Sequence, residues 1–277
     1  MIDLHIKTAL STGQMSVFRL LKTLKDANIS YFSIADKNHA LAYKLFDPNE
    51  YPNLITGTSI NTHYKGTPID LLGYDIDINV INGWFDRNYT QQQVEWIEHD
   101  KQNKILEILA LKSYVLEGNY KRYDRLGISS KQIFAELIEK YPDFVYKNER
   151  DFRLYGLNNP ESEYFLDQTM YLPSIDVVIE LIKKAGGKIF LAHPFEYRTD
   201  VGDLLQMVLD KKLDGVEVFH ASISTLNSMK LIEFCESANI LASLGSGYVG
   251  DELLIPLGVH LDIEILNKEC FNWIFDR

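Results

Sequence analysis

Short apolar runs alternate along this chain with longer stretches whose apolar residues recur at helical spacing, the pattern of an α/β protein. Residues 2–7 open it as a strand, and Ser11-Thr12-Gly13 reads as a turn. Val17, Leu20, Leu21 and Leu24 form a helix stripe behind Ser16, a residue type that caps free N–H groups in a first turn. Strands are predicted at 31–36, 54–60 and 69–76, the last two joined by a hairpin turn at Tyr64-Lys65-Gly66. Gly57 interrupts the third strand, where backbone must approach something closely. From Ser174 the alternation is regular: helix 174–185, strand 188–193, helix 203–212, strand 215–220, helix 224–238, strand 240–246. Units of this length join parallel strands through helical crossovers.

Residues 88–172 break that rhythm. A polar-faced helix spanning roughly Thr90 to Leu116 leads to a loop rich in Tyr, Lys and Arg. An amphipathic helix over roughly Ser129 to Tyr141 follows, then an aromatic, charged piece that runs to Pro173. The expected organisation is a barrel built from 1–87 and 173–277, with 88–172 as a mostly helical insertion beside its mouth. The cluster Lys121-Arg122-Tyr123-Asp124-Arg125 reads as a solvated loop, with contact to an anionic ligand as the alternative.

Composition narrows the function. A formal charge of −11 argues against sequence-independent binding of duplex nucleic acid, which needs a basic face, but leaves a small nucleotide open as a ligand. Two cysteines, Cys235 and Cys270, are too few for a disulfide framework and point to a reducing compartment. With no signal peptide and no apolar run long enough for a bilayer, a cytoplasmic protein is expected.

The chemistry gathers where strands end. Ile189 to Ala192 is wholly apolar, as a strand buried on both faces would be, and His193-Pro194 stops it. His220 and Ser246 end the next two strands in the same way. If the strands close into a barrel, His5, Asp36, Ser59 or Asp70, His193, His220 and Ser246 converge on one face. Several imidazoles and carboxylates in one mouth suggest a divalent metal. Glu217, inside a buried strand, would pair with a cation or hold a histidine in its tautomer.

The ordered motifs resemble the PHP (polymerase and histidinol phosphatase) family across almost the whole chain. Asp3-Leu4-His5-Ile6-Lys7-Thr8 with Ser11-Thr12-Gly13 resembles its opening Asp-Leu-His-x-His and Ser-Asp-Gly. Ile34-Ala35-Asp36-Lys37 resembles Ile-Thr-Asp-His, Gly57-Thr58-Ser59-Ile60 resembles Gly-Ile-Glu-Ile, and Asp70-Leu71-Leu72-Gly73-Tyr74 resembles His-Leu-Leu-Gly-Tyr. Ala185-Gly186-Gly187 with Leu191-Ala192-His193-Pro194 is similar to Ala-Gly-Gly and Leu-Ala-His-Pro, and Gly245 to Gly250 to Gly-Ser-Asp-x-His-Gly. The resemblance implies a distorted (β/α)7 barrel. It also implies phosphoester hydrolysis by two or three Mn, Zn or Fe ions held on strand-end ligands, in relatives that act on small nucleotides or short oligonucleotides.

The departures from that pattern reshape the expectation. Lys7 and Lys37 stand where the family has histidines, Ser59 where it has the bridging glutamate, and Asp70 where histidine is usual. Thr12 stands where the family's turn has an acidic residue, and Gly247 and Val249 where it has its final aspartate and histidine. A serine cannot supply the negative charge that lets two cations sit about 3.5–4 Å apart, and ammonium groups repel cations. The expectation is a degenerate phosphoesterase that has lost its multinuclear centre. It would hold no metal, or one weakly bound ion on His5, Asp70, His193 and His220. Lys7, Asp36, Lys37, Ser59 and Ser246 would line a mouth that either binds a small anionic metabolite or closes on internal charge pairs. A residual metal-dependent phosphoesterase and a non-catalytic interaction module are the alternatives.

Overall fold

A computed structural model describes residues 1–118, 120, 127–250 and 255–276; the cluster at 121–125 lies outside them. Two sheets carry the fold. Strands β1 (Ile2–Ile6) and β2 (Tyr31–Ile34) pair in parallel. The second sheet runs β3 (Gly57–Tyr64), β4 (Thr67–Tyr74), β5 (Lys188–Leu191), β6 (Gly215–Phe219), β7 (Leu241–Leu244) in that spatial order. The β3–β4 hairpin is antiparallel and tight, with Tyr64 opposite Thr67; β5, β6 and β7 are parallel to one another. Helices α6 (Ile175–Lys184), α7 (Val201–Asp210) and α8 (Thr225–Ala238) precede the last three strands, as the alternation predicts.

No closed barrel is found among the described residues. Isolated bridges join the two sheets instead, Phe32 to Leu54 and Lys37 to Ser59 on one side and Ile6 to Tyr248 on the other. Strands β2, β5, β6 and β7 end before their apolar runs do, whereas β3 starts later than its run and continues to Tyr64 in the hairpin. The run at 31–36 forms a strand only to Ile34, and Asp36 bends away to bond the 8–11 loop.

Helix α1 (Val17–Asp26) buries Val17, Leu20, Leu21 and Leu24, and its Ser16 hydroxyl accepts from the Arg19 N–H. Gly57 is where the sequence requires close approach: a β-carbon there would meet Ser33 Oγ at 2.2 Å. The C-terminal part returns to the start of the chain. Ile2 bridges Val259, and the buried Asp3 carboxylate accepts from Ser246 Oγ at 2.6 Å, Ser246 N and Gly258 N. Trp273 donates to the Ala242 carbonyl, closing the main core over β7.

The segment after β4 begins with α2 (Ile78–Asn88), a helix not among the predicted elements although Ile78, Ile81, Trp84 and Phe85 recur at helical spacing. Then come α3 (Gln91–Leu111), α4 (Ile128–Lys140) and a single turn α5 (Glu149–Asp151) that runs into a π-helical stretch Phe152–Leu157. Helix α3 opens with a capping box, Thr90 and Gln93. A separate apolar cluster forms here around Ile105, Leu109, Leu137, Phe144 and Phe152, with edge-on packing of Phe144 against Phe152 and Tyr164. The fully buried Glu98 carboxylate caps α4 by accepting from Gly127 N, Ser129 N and Ser129 Oγ. A short helix α9 (Ile263–Leu266) lies near the end of the chain. No helix among the described residues is long and apolar enough to cross a membrane.

Candidate functional site

Three histidines and a glutamate meet at the carboxyl ends of β1, β5 and β6. The ligand-type atoms of His5, His193, Glu217 and His220 all lie within 4.8 Å of one another. The His5 and His193 rings stack at 5.7 Å with planes 15° apart, and His220 sits 4.9 Å from His193. Local structure accounts for each placement. Five consecutive buried residues hold β1 rigid, so His5 has no freedom to turn. His193 leaves β5 with φ of +24°, a sparsely populated conformation for a residue with a side chain, held by its N–H donating to Glu217 Oε2 at 2.8 Å.

Glu217 organises the group. Its Oε1 lies 2.9 Å from His5 Nδ1, so the neutral imidazole donates there and presents a bare Nε2 to the mouth. That Nε2 is buried and has no hydrogen-bond partner among the described residues; nor does His193 Nδ1. Glu196 Oε2 stands 3.8 Å from His193 Nδ1, beyond bonding reach. Two orphaned, buried imidazole nitrogens are costly unless something binds them. Burial pushes all three histidines below the usual imidazole range, and Lys7 adds to this at His5. Neutral rings are the metal-binding form.

His220 has two available roles. Its Nδ1 lies 2.7 Å from Ser222 Oγ and 3.2 Å from Ser222 N. Donating to the hydroxyl frees Nε2 as a ligand; accepting from the amide leaves Nε2–H as a donor to an anion. The donor set therefore fits one divalent ion, on His5, His193, His220 and Glu217.

The lysines supply positive charge beside this group. Lys7 is almost fully buried and its ammonium donates to the Ala35 carbonyl at 3.0 Å. Burial, then the nearby Lys37, bring its pKa down to about 8, against Asp70, Asp36 and Glu217. Lys37 Nζ lies 3.4 Å from Asp70 Oδ2, and His193 Nε2 lies 3.7 Å from the same oxygen. Asp70 reaches the mouth because β4 runs antiparallel to β5, which brings its start to the carboxyl ends of the parallel strands. Burial opposes ionisation of Asp70, but Lys37, His193, Lys7 and His5 hold its carboxyl well below the usual range. Asn61, directly opposite on β3, donates a short hydrogen bond to Asp70 Oδ1.

The remaining predicted residues separate. Ser59 is buried, its hydroxyl has no partner among the described residues, and it shares a face of the hairpin with Asn61 and Asp70. Asp36 accepts from Thr8 N, Thr8 Oγ1 and Ser11 Oγ at 2.5–2.7 Å, while its charge still acts on Lys7. Ser246 is committed to Asp3. Sequence reasoning missed Glu196 and Arg150. Glu196 lies 3.8 Å from both His193 and His220 and is clamped by Arg150 at 2.8 Å. Burial opposes its charge, yet His193, His220 and Arg150 bring its pKa down to about 2. Its place three residues after His193, beyond a proline turn, was the available signal.

Three imidazoles and a carboxylate gathered at strand ends are a donor set that could hold a metal ion. No family model matches the chain. It is 24% identical over 280 residues to the 5′–3′ exoribonuclease Rnm of Salmonella typhimurium, covering 93% of this chain and 90% of that protein. Its fold is shared with a protein of Bifidobacterium adolescentis described as a metal-dependent phosphoesterase. The TM-score is 0.64 and the identity 20%, over 96% of this chain and 95% of that one. An amidohydrolase from Chromobacterium violaceum, with bound sulfate and no metal, aligns with a TM-score of 0.69 and 15% identity, over 94% and 92% of the two chains. The ordered motifs, the mixed α/β fold and this relative agree with membership of the PHP family.

Proposed function

We propose that this chain is a divergent phosphoesterase-fold protein whose mouth binds the phosphate of a small nucleotide or of an oligonucleotide end. It holds at most one divalent ion and has lost multinuclear hydrolysis. One observation carries the reading: Lys37 Nζ lies 3.4 Å and His193 Nε2 3.7 Å from Asp70 Oδ2, in a group where His5 Nε2 and His193 Nδ1 have no hydrogen-bond partner among the described residues. Lysine is a competent phosphate partner. One ion, Mn, Zn or Fe, on the His5–His193–His220–Glu217 group would supply a Lewis acid that polarises a phosphoryl oxygen. A second is opposed by both lysines and lacks a bridging carboxylate at Ser59. The exoribonuclease relative and the sulfate held by a protein of this fold support a phosphoester as ligand. Within this reading the bridged sheets are a distorted (β/α)7 barrel with 88–172 as its insertion, and the two buried thiols, Cys235 and Cys270, suit a reducing cytoplasm.

Metal analysis of protein purified without chelators tests it, alongside a thermal-shift titration with adenosine 5′-monophosphate and inorganic phosphate. At most one equivalent of metal is expected, lost in His193→Ala, together with a ligand response that disappears in Lys7→Ala/Lys37→Ala. Two or more ions with phosphoester turnover overturn the reading. The Glu217–His5 pair favours a second one, a residual single-ion phosphoesterase, because so strictly oriented an imidazole suits a ligand role. His193-dependent release of phosphate or nucleotides from an oligoribonucleotide would select it.

A further inference from the structure

The loop that follows β5 carries an acidic side chain set between the mouth and the inserted segment. Glu196 belongs to none of the motifs that carry the family resemblance. Its N–H donates to the His193 carbonyl at 2.9 Å, a tight turn that keeps the carboxylate beside the imidazole ending the strand. Oε2 lies 3.8 Å from His193 Nδ1, and Oε1 lies 3.8 Å from His220 Nδ1. On the other side Oε1 accepts from Arg150 at 2.8 Å. Arg150 stands on α5, with half of its side chain exposed.

The facing of Glu196 and His193 calls for a cation. His193 is 7% exposed, and its Nδ1 has no hydrogen-bond partner among the described residues. In the neutral ring with a bare Nδ1, two acceptors face each other, an arrangement that a shared positive ion satisfies. Ligand atoms at about 2.0–2.2 Å from one tetrahedral ion stand roughly 3.4 Å apart, so 3.8 Å is close to the spacing of two ligands. The metal-binding group also lacks negative charge. Glu217 is its one carboxylate and already accepts a hydrogen bond on each oxygen, while Asp70 pairs with Lys37. Glu196 is the nearby carboxylate whose main bond is to an arginine half open to solvent.

We propose that Glu196 is a further ligand of the divalent ion held by the histidine group, and that it exchanges from Arg150 to the ion on loading. This rests on the single-ion reading of the mouth and adds a ligand to it. The exchange is felt in the inserted segment. Arg150 directly precedes the π-helical stretch Phe152–Leu157, a rare geometry that recurs at functional sites. Arg198, on the same loop as Glu196, sits over the Tyr155 ring at 3.9 Å, so two arginine contacts join that loop to residues 149–157. Loading removes one of them.

Calorimetric titration of the full chain with Zn, paired with hydrogen exchange, tests the exchange. Glu196→Gln keeps the shape and should weaken Zn roughly tenfold or more. Arg150→Gln should tighten it roughly 1.5- to 5-fold, the scale of a partly exposed ion pair. That gain should vanish when Arg150→Gln is added to Glu196→Gln. Zn should quicken hydrogen exchange over 149–157 in the wild type and leave it unchanged in Glu196→Gln. Equal Zn affinity in wild type and Glu196→Gln, with one ion still bound, overturns the role of Glu196 and spares the single-ion mouth. A gain from Arg150→Gln that persists beside Glu196→Gln is an effect of net charge alone and also overturns it. A wild type that takes no Zn overturns the exchange and leaves phosphate binding standing. Two ions in the wild type, one of them lost in Glu196→Gln, uphold Glu196 as a ligand and overturn the single-ion reading.

Discussion

Gly247 and His220 compete for the same space: a β-carbon at Gly247 would fall 2.1 Å from His220 Nε2. The ring occupies the room that a side chain at 247 would need, so His220 as placed and any larger residue at 247 exclude each other.

Gly247→Asp should therefore fail to restore a metal ligand on its own. The position has φ of +70°, which costs a non-glycine residue about 1–2 kcal/mol before the clash with His220 is counted. The single variant should lower the denaturant midpoint, and His220→Ala on top of it should recover part of that loss. A double variant no more stable than the single one would refute the coupling.

Glu217 bonds His5 with one oxygen and the His193 N–H with the other, so Glu217→Gln disturbs both histidines while keeping the shape. Loss of charge-assisted bonds at a buried site should cost about 1.5–3 kcal/mol. Affinity for a divalent ion should fall roughly 10–100-fold. Calorimetric titration with Zn or Mn measures the second effect; unchanged affinity would remove Glu217 from the site.

Lys7 gives a pH signature. Its pKa is depressed to about 8 in the folded state and returns to the ordinary lysine value of about 10.4 on unfolding. Between those values the unfolded chain binds more protons, so the Lys7 contribution to stability rises with pH. The stability difference between wild type and Lys7→Met should shift in favour of wild type from pH 8 to 10, by roughly 1.4 kcal/mol per pH unit at most. A flat difference across that window would mean that the amine is not buried in its charged form.

Asp70 competes with any anion for Lys37. Asp70→Asn keeps the shape and removes the charge, so phosphate binding should tighten by roughly threefold, the scale of a partly exposed ion pair. A thermal-shift titration with phosphate reads this directly. Loss of the phosphate response would place Asp70 on the side of a cation instead.

Outside the mouth, Glu98→Ala should unlock α4. The substitution strips the cap from Gly127 and Ser129 and should cost roughly 2–3 kcal/mol. Hydrogen exchange should quicken in α4 and stay slow in β5; uniform acceleration would refute this local account.

Much of this was legible in the sequence. Apolar runs and helical stripes located strands β1 to β7 and helices α6 to α8, because burial imposes period and length on those segments, whereas the single turn α9 was not among them. Gly57 announced its close contact with Ser33. The convergence of His5, His193 and His220 followed from each ending a buried strand. Helix α2 went unread although Ile78, Ile81, Trp84 and Phe85 recur at helical spacing; Asn79, Asn82 and Gly83 among them, poor helix formers, mask the stripe. Charge pairing was legible only in part. Asp70 faces Lys37, whereas Asp36 turned out to serve the loop at Thr8 and Ser11, a choice set by backbone direction that residue types do not encode. Arg150 and Glu196 meet across 46 residues, and no local pattern reports such a contact.

The bonds from Ser246 and Gly258 to Asp3 span 243 and 255 residues of chain. His5, two positions on, meets Glu217 across 212. Contacts of such separation are slow to close, because the loop entropy is spent before they reward it. The binding mouth is therefore a late product of folding, assembled only when distant segments have docked.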